Sequence, residues 1–242
     1  MISKARAWRV LVLAGWIFLG GWISASWDVG LAAAQPGRFP PADRPVAPIV
    51  TPAYSTEAAR DAHGEAERVL SRLGVKPGMR VADVGAGDGY YTVRLAKRLG
   101  PGATIYAEDV IQSHLDQLAA RLAREHIVGI RLVHGTPFDP RLPPQSIELA
   151  LLAHMYHEIE QPYEFVYRLH GALATDGRVA IIDNDKPTDQ HGTPPALLRC
   201  ELAAVGYREV DFLLLAPADG YLAVFAPPEA LPRPEDIRPC SR

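Results

Sequence analysis

Val81-Ala82-Asp83-Val84-Gly85-Ala86-Gly87-Asp88-Gly89-Tyr90-Tyr91 is the stretch around which the chain is organised. A short apolar run, interrupted by a carboxylate, leads into three glycines that alternate with other residues. Helix-forming sequence follows over 91–99. The pattern predicts a strand, a tight loop and a helix N-terminus. Glycine serves where backbone must take a positive φ and come close to a ligand. The N–H groups exposed at a helix start suit a carboxylate or a phosphate. A nucleotide-like cofactor at the carboxyl edge of a parallel sheet is therefore expected.

Strand and helix patterns alternate on either side of this stretch. Upstream, 57–73 has helical composition and ends at Gly74, and Lys76-Pro77-Gly78 turns the chain into the strand. Downstream, strands are predicted at 103–107, 130–133, 147–153 and 179–182, and helices at 112–124, 162–173 and 194–204. Two further strands, 207–215 and 221–225, are joined by a hairpin-length loop and must be antiparallel. Alternation implies a parallel sheet covered on both faces by right-handed crossovers. The expected fold is α/β: a doubly wound, seven-stranded, mostly parallel sheet with a terminal antiparallel strand pair.

The glycines narrow the cofactor. A dinucleotide fingerprint needs G-x-G-x-x-G. Gly85, Gly87 and Gly89 leave Tyr90 at its third position, where a bulky ring obstructs close packing of helix on strand. No Gly-Lys-Ser/Thr follows, so a P-loop is excluded. Asp83 places a negative charge beside the loop, suited to an ammonium or sulfonium group. Asp109, at the end of the next strand, is placed to accept both hydroxyls of a ribose.

Taken in order, Val81 to Tyr91, Asp109, Asp139 within Gly135-Thr136-Pro137-Phe138-Asp139-Pro140, and Tyr156-His157-Glu158 resemble class I S-adenosylmethionine-dependent methyltransferases. The resemblance covers roughly 65–227 and includes the closing strand pair. It implies a Rossmann-like fold, S-adenosylmethionine as cofactor, and methyl transfer to an unidentified small-molecule or protein acceptor by in-line displacement. It further implies that Asp83, Gly85, Ala86, Gly87 and Gly89 hold the methionine moiety and that Asp109 binds the ribose. Glu108 competes for that role if the strand end slips by one residue. Val110 or Ile111 would pack on the adenine, Asp139 would accept from its amino group, and Ala153 and His154 would line the methionine end. Asp139 also reads as a turn-capping aspartate before proline.

His154-Met155-Tyr156-His157-Glu158 follows the fourth strand on the cofactor edge. Methyl transfer from a sulfonium needs mainly proximity and orientation. A base is required only where the acceptor must lose a proton, and His157 or His154 is titratable near neutrality. Tyr156 is a candidate for orienting the acceptor, so His157 and Tyr156 are the catalytic candidates. His154, His157 and Glu158, with Asp183 and Asp185, also raise a metal reading. H-x-x-H spacing in a loop is not diagnostic, and no metal site is expected. The other histidines, His191 among them, read as surface or capping residues. Acceptor contacts are expected from 54–63 and 187–193.

Composition sets outer limits. The chain has 242 residues, a net charge of −3 and no dense basic run, which gives no footing for nucleic acid. Cys200 and Cys240 either pair in an oxidising compartment or remain two thiols. Lys4, Arg6 and Arg9 precede a run over 10–27 that is apolar apart from Ser24 and Ser26, and Ala32-Ala33-Ala34 follows. This reads as a signal peptide cleaved after Ala34, exporting the domain to the periplasm or beyond. The alternative is an uncleaved membrane anchor through 10–27. The expected organisation is 1–34 signal or anchor, 35–54 Pro-rich linker, 55–227 methyltransferase-like domain and 228–242 Pro-rich tail. Two other functions stand beside methyl transfer. One is an exported, non-catalytic S-adenosylmethionine- or nucleoside-binding protein on the same scaffold. The other, a nicotinamide oxidoreductase, is disfavoured by Tyr90.

Overall fold

The computed structural model describes residues 39–49, 57–215 and 220–240. Both the signal or anchor segment and the apolar run 10–27 lie outside the described residues. Among the described residues no helix is long and apolar enough to cross a membrane.

Seven strands form one sheet in the order β3-β2-β1-β4-β5-β7-β6. They are β1 (Arg80–Val84), β2 (Thr104–Asp109), β3 (Ile130–His134), β4 (Ile147–Ala153), β5 (Leu173–Asp183), β6 (Arg208–Leu214) and β7 (Tyr221–Ala226). β1 to β5 pair in parallel, and β7 lies antiparallel to both β5 and β6. This is the expected architecture. The central strands read as continuous apolar runs because both faces are covered. Successive side chains point to opposite faces. Val81, Leu149, Leu151 and Ile182 join one apolar layer, and Ala82, Ala150, Leu152 and Ile181 join the other.

The helices supply the covering layers. α1 (Glu57–Ala62), α2 (Glu65–Arg72) and α3 (Tyr90–Leu99) precede α4 (Gln112–Arg124), α5 (Pro162–His170) and α6 (Pro195–Ala204). Two predicted boundaries differ. The first helix is broken in two at His63-Gly64, where Gly64 takes a left-handed φ of 65°. The break lets Arg60 fold back onto Glu65 at 2.6 Å. α5 stops at His170, and β5 begins at Leu173 rather than 179. Its pairing with β4 shifts register between Ile147 and Leu149, so Asp176 and Gly177 lie inside a strand that reads as a turn by composition.

The described parts of the Pro-rich segments are not loose. Arg44 is buried and pairs with Glu201 of α6, and Ala47 N–H donates to the His157 carbonyl at 3.2 Å. At the other end Cys240 N–H donates to the Tyr163 hydroxyl at 2.7 Å, and Cys240 is disulfide-bonded to Cys200. Residues 39–49 and the tail to Cys240 therefore belong to the body of the domain.

Candidate functional site

A cavity of about 520 Å³ opens at the carboxyl ends of β1, β2, β4 and β5. Ligands in open α/β sheets bind at this edge. Its floor is the loop between β1 and α3. Gly85 has φ 69°, and a Cβ there would lie 2.7 Å from Met155 Cγ. The backbone conformation and the close approach both require glycine.

Two carboxylates from the end of β2 hold this loop. Gly87 N–H donates to Asp109 Oδ2 at 2.9 Å, and Asp109 Oδ1 accepts from Ile111 N–H at 2.8 Å. Gly85 N–H donates to Glu108 Oε2 at 3.3 Å, and Ala86 N–H donates to the Glu108 carbonyl at 2.8 Å. Glu108 is 1% exposed, and its Oε1 has no hydrogen-bond partner among the described residues. Burial pushes its carboxyl well above the usual range, the Gly85 amide opposes this, and the charges of Asp109 and Asp83 add to it. Asp83 is also buried and accepts from Thr92 Oγ1 at 2.6 Å. Burial raises it to about 6 despite that hydrogen bond. Perturbed carboxylates converging on a cleft make this edge the candidate functional site.

Tyr90, the residue that breaks the dinucleotide fingerprint, lines the cavity with Arg60 3.6 Å and Arg94 3.7 Å from its ring centroid. Glu65 joins this wall. Burial favours its neutral form, but hydrogen bonds from His154 and Arg60 prevail and hold it well below the usual carboxylate range.

Asp83, Gly85, Ala86, Gly87, Asp109, Val110, Ala153 and His154 all line the cavity, as the sequence implies. Ile111 does not. Gly89 corrects the expectation of a ligand contact: it lies outside the lining, and its role is packing. A Cβ on Gly89, at φ 90°, would fall 2.3 Å from Leu118 Cδ1 of α4. Asp139 is a second correction. It lies outside the lining and caps its own turn, accepting from Arg141 N–H at 2.8 Å with Arg168 3.5 Å away. Pro137 from the same loop lines the cavity instead.

Tyr156 is the third correction. Its side chain is fully buried in the apolar layer beneath α5 and α6, with Arg44 5.6 Å from the ring centroid, so it cannot touch an acceptor. Residues 156–158 form one 3₁₀ turn, and this turn sends Tyr156 inward while leaving His157 on the cavity wall. His157 Nδ1 lies 3.0 and 3.1 Å from the two oxygens of Asp183. Asp183, fully buried, also accepts from Thr193 Oγ1 at 2.7 Å and Asn184 N–H at 2.8 Å. A carboxylate so fixed assigns the Nδ1 proton and leaves Nε2 as the lone-pair nitrogen.

His191, which reads in the sequence as a surface or capping histidine within an expected acceptor segment, lines the cavity. Its ring meets that of His157 edge to face at 5.4 Å between centroids. His157, Glu158 and His191 each bring one ligand-type atom within 4.8 Å of the others. His154 is not part of this group; its Nε2 faces Glu65 Oε1 at 3.6 Å. The expected acceptor segments do contribute: Ala59, Arg60 and His63 from one, and His191 from the other. Ala47, Pro48 and Ile49 of the Pro-rich segment add a wall with no motif to announce it.

Comparison with known proteins agrees with this geometry. Residues 82–181 match the family model described as a methyltransferase domain. Demethylmenaquinone methyltransferase from Geobacillus sp. (strain WCH70) is 19% identical over 122 residues, which is 50% of this chain and 52% of that protein. The chain spans about half the length of the curated relatives it matches. The crystal structure of a SAM-dependent methyltransferase from Aquifex aeolicus superposes with a TM-score of 0.62 at 22% identity, covering 69% of this chain and 90% of that one. A structure from Bordetella parapertussis, described as a possible exported protein, superposes at 0.56 with 17% identity, covering 70% and 68%. The seven-stranded sheet with its single reversed strand and the glycine loop tied to β2 agree with these matches: residues 82–181 are similar to a methyltransferase domain, and the chain has the Rossmann-like fold of S-adenosylmethionine-dependent methyltransferases.

Proposed function

We propose that this chain is an S-adenosylmethionine-dependent methyltransferase whose acceptor binds at the His157 end of the cavity. The observation that carries this reading is the glycine loop held by Asp109 and Glu108 in the same cavity as His157. The donor set suits a cationic nucleoside. Glu108 offers a buried oxygen that lacks a partner, Asp109 sits at the ribose position, and Asp83 supplies negative charge beneath the loop. When bound, S-adenosylmethionine supplies a methyl group already activated on sulfur. The chain's own task is then to orient the acceptor and exclude water. Met155, packed against Gly85, closes one side of the methionine end. His157, aligned by Asp183, presents the Nε2 lone pair to the acceptor, where it takes a proton or a cation. Nothing in the cavity favours a non-catalytic role, since its carboxylates and glycine amides are intact.

Export belongs to the same proposal. The basic start, apolar run and Ala32-Ala33-Ala34 support it. The Cys200–Cys240 disulfide also supports it, because such bonds persist in oxidising compartments. So does the fold shared with the Bordetella protein described as a possible exported protein.

Calorimetric titration of the purified protein with S-adenosylmethionine, S-adenosylhomocysteine and NADH tests the reading. Saturable binding of the first two without NADH is expected. NADH binding, or binding of none, overturns it.

A further inference from the structure

We propose that His157, Glu158 and His191 form a binding site for a divalent transition cation of the zinc class at the acceptor end of the cavity. The donor set is two imidazoles and one carboxylate, which suits zinc and its neighbours better than calcium or magnesium. One ligand-type atom from each side chain lies within 4.8 Å of the other two, and His157 Nε2 is 4.0 Å from Glu158 Oε1. Two ligands about 2.1 Å from one ion stand roughly 3.4 Å apart in tetrahedral geometry. Closure therefore asks for about an ångström of movement from Glu158 and His191, both only half-buried.

The stronger argument is how His157 is held. Metal-binding histidines almost always donate the second ring N–H to a carboxylate, a backbone carbonyl or water, which fixes tautomer and ring orientation. His157 has this arrangement with Asp183, and Asp183 is itself anchored by Thr193 and the Asn184 amide. The free nitrogen is thus aimed at Glu158 and His191 before any ion arrives. The same segment that supplies Thr193 supplies His191. It crosses over the carboxyl end of β5 and is pinned there by the Thr193 N–H bond to the Asn184 carbonyl at 2.9 Å.

All three side chains line the cavity, so an ion held by them would keep a position free for an exogenous ligand. A cation there would hold an oxygen, nitrogen or sulfur of the methyl acceptor and favour its deprotonated form. That role rests on the methyltransferase reading above; cation binding itself does not.

The test is titration of the untagged protein with Zn²⁺ by calorimetry and with Co²⁺ by visible absorption, with S-adenosylhomocysteine titrated in parallel. One equivalent of each metal is expected, with a tetrahedral Co²⁺ spectrum. His191→Ala and Glu158→Gln should each weaken binding at least tenfold, and Asp183→Asn by roughly 10–100-fold. His126→Gln, at an exposed position just past the end of α4 and outside the cavity lining, should change nothing. Thermal melts check that each variant folds. No stoichiometric binding, or binding that survives in folded His191→Ala and Glu158→Gln, overturns the site. Loss of S-adenosylhomocysteine binding with metal binding intact would instead overturn the cofactor reading and leave the cation site standing.

Discussion

Arg44 Nε donates to Glu201 Oε1 at 2.8 Å, and both side chains are 1% exposed. The same guanidinium donates to the carbonyls of Tyr156 and Ile159, each at 3.3 Å. A residue from the Pro-rich segment thus holds the turn that carries His157. Arg44→Ala would leave Glu201 buried without a counter-charge, at a cost of about 3–5 kcal/mol. Urea unfolding should show a midpoint lowered to match. The double replacement Arg44→Met with Glu201→Leu should recover only part of the loss, because it removes the uncompensated charge but leaves the Tyr156 and Ile159 carbonyls without their donor. A midpoint unchanged in Arg44→Ala contradicts this account.

Glu108 and Asp109 make opposing claims to the ribose, and affinity separates them. Asp109→Asn should weaken S-adenosylhomocysteine binding by about 10–100-fold, the equivalent of one charged hydrogen bond. Glu108→Gln should weaken it less. Calorimetry on the two variants decides, and the reverse order would assign the ribose to Glu108.

Asp83 should give the fold a pH signature. Burial raises its pKa from 3.8 to about 6, with the Thr92 hydroxyl opposing. The folded state then favours the protonated form. Its contribution to stability is full below about pH 4 and is lost as pH rises through about 6, a change on the order of 3 kcal/mol. Subtracting the unfolding free energy of Asp83→Asn from that of the native sequence, across this window, should reveal the fall. A bound sulfonium favours ionised Asp83. S-adenosylmethionine affinity should therefore rise from pH 5 to pH 7 more than that of uncharged-sulfur S-adenosylhomocysteine. A flat difference curve would remove Asp83 from this role.

Export has an optical test. All four tryptophans, Trp8, Trp16, Trp22 and Trp27, precede Ala34. Protein recovered from the periplasm after cleavage should show tyrosine emission alone, whereas an anchored form keeps tryptophan emission. The same preparation should contain the Cys200–Cys240 bond. Cys240→Ser should lower stability by about 2–4 kcal/mol.

Strand and helix order were legible because periodicity and glycine punctuation are local. The expected 112–124 helix and 147–153 strand coincide with α4 and β4. The break at His63-Gly64 was not legible, because composition is helical on both sides of it. It depends on Arg60 reaching Glu65 and the Tyr90 ring. The cavity lining was legible at Asp83, Gly85, Gly87 and Asp109, whose place follows from strand ends and a loop of fixed geometry. Asp139 and Tyr156 were not. Each sits in a turn, and in a turn neighbouring side chains diverge without a period to say which faces the ligand.

By itself the sequence determined the sheet class, the cofactor-type loop and the carboxylates at the ends of β1 and β2. These follow from residue type and short spacing, which constrain the backbone directly. Tertiary structure alone decided that Tyr156 is core and His157 lines the cavity, that Arg44 braces the same turn, and that His191 arrives opposite His157. Those outcomes depend on contacts between segments far apart in the chain, and packing, not local propensity, sets where such segments meet.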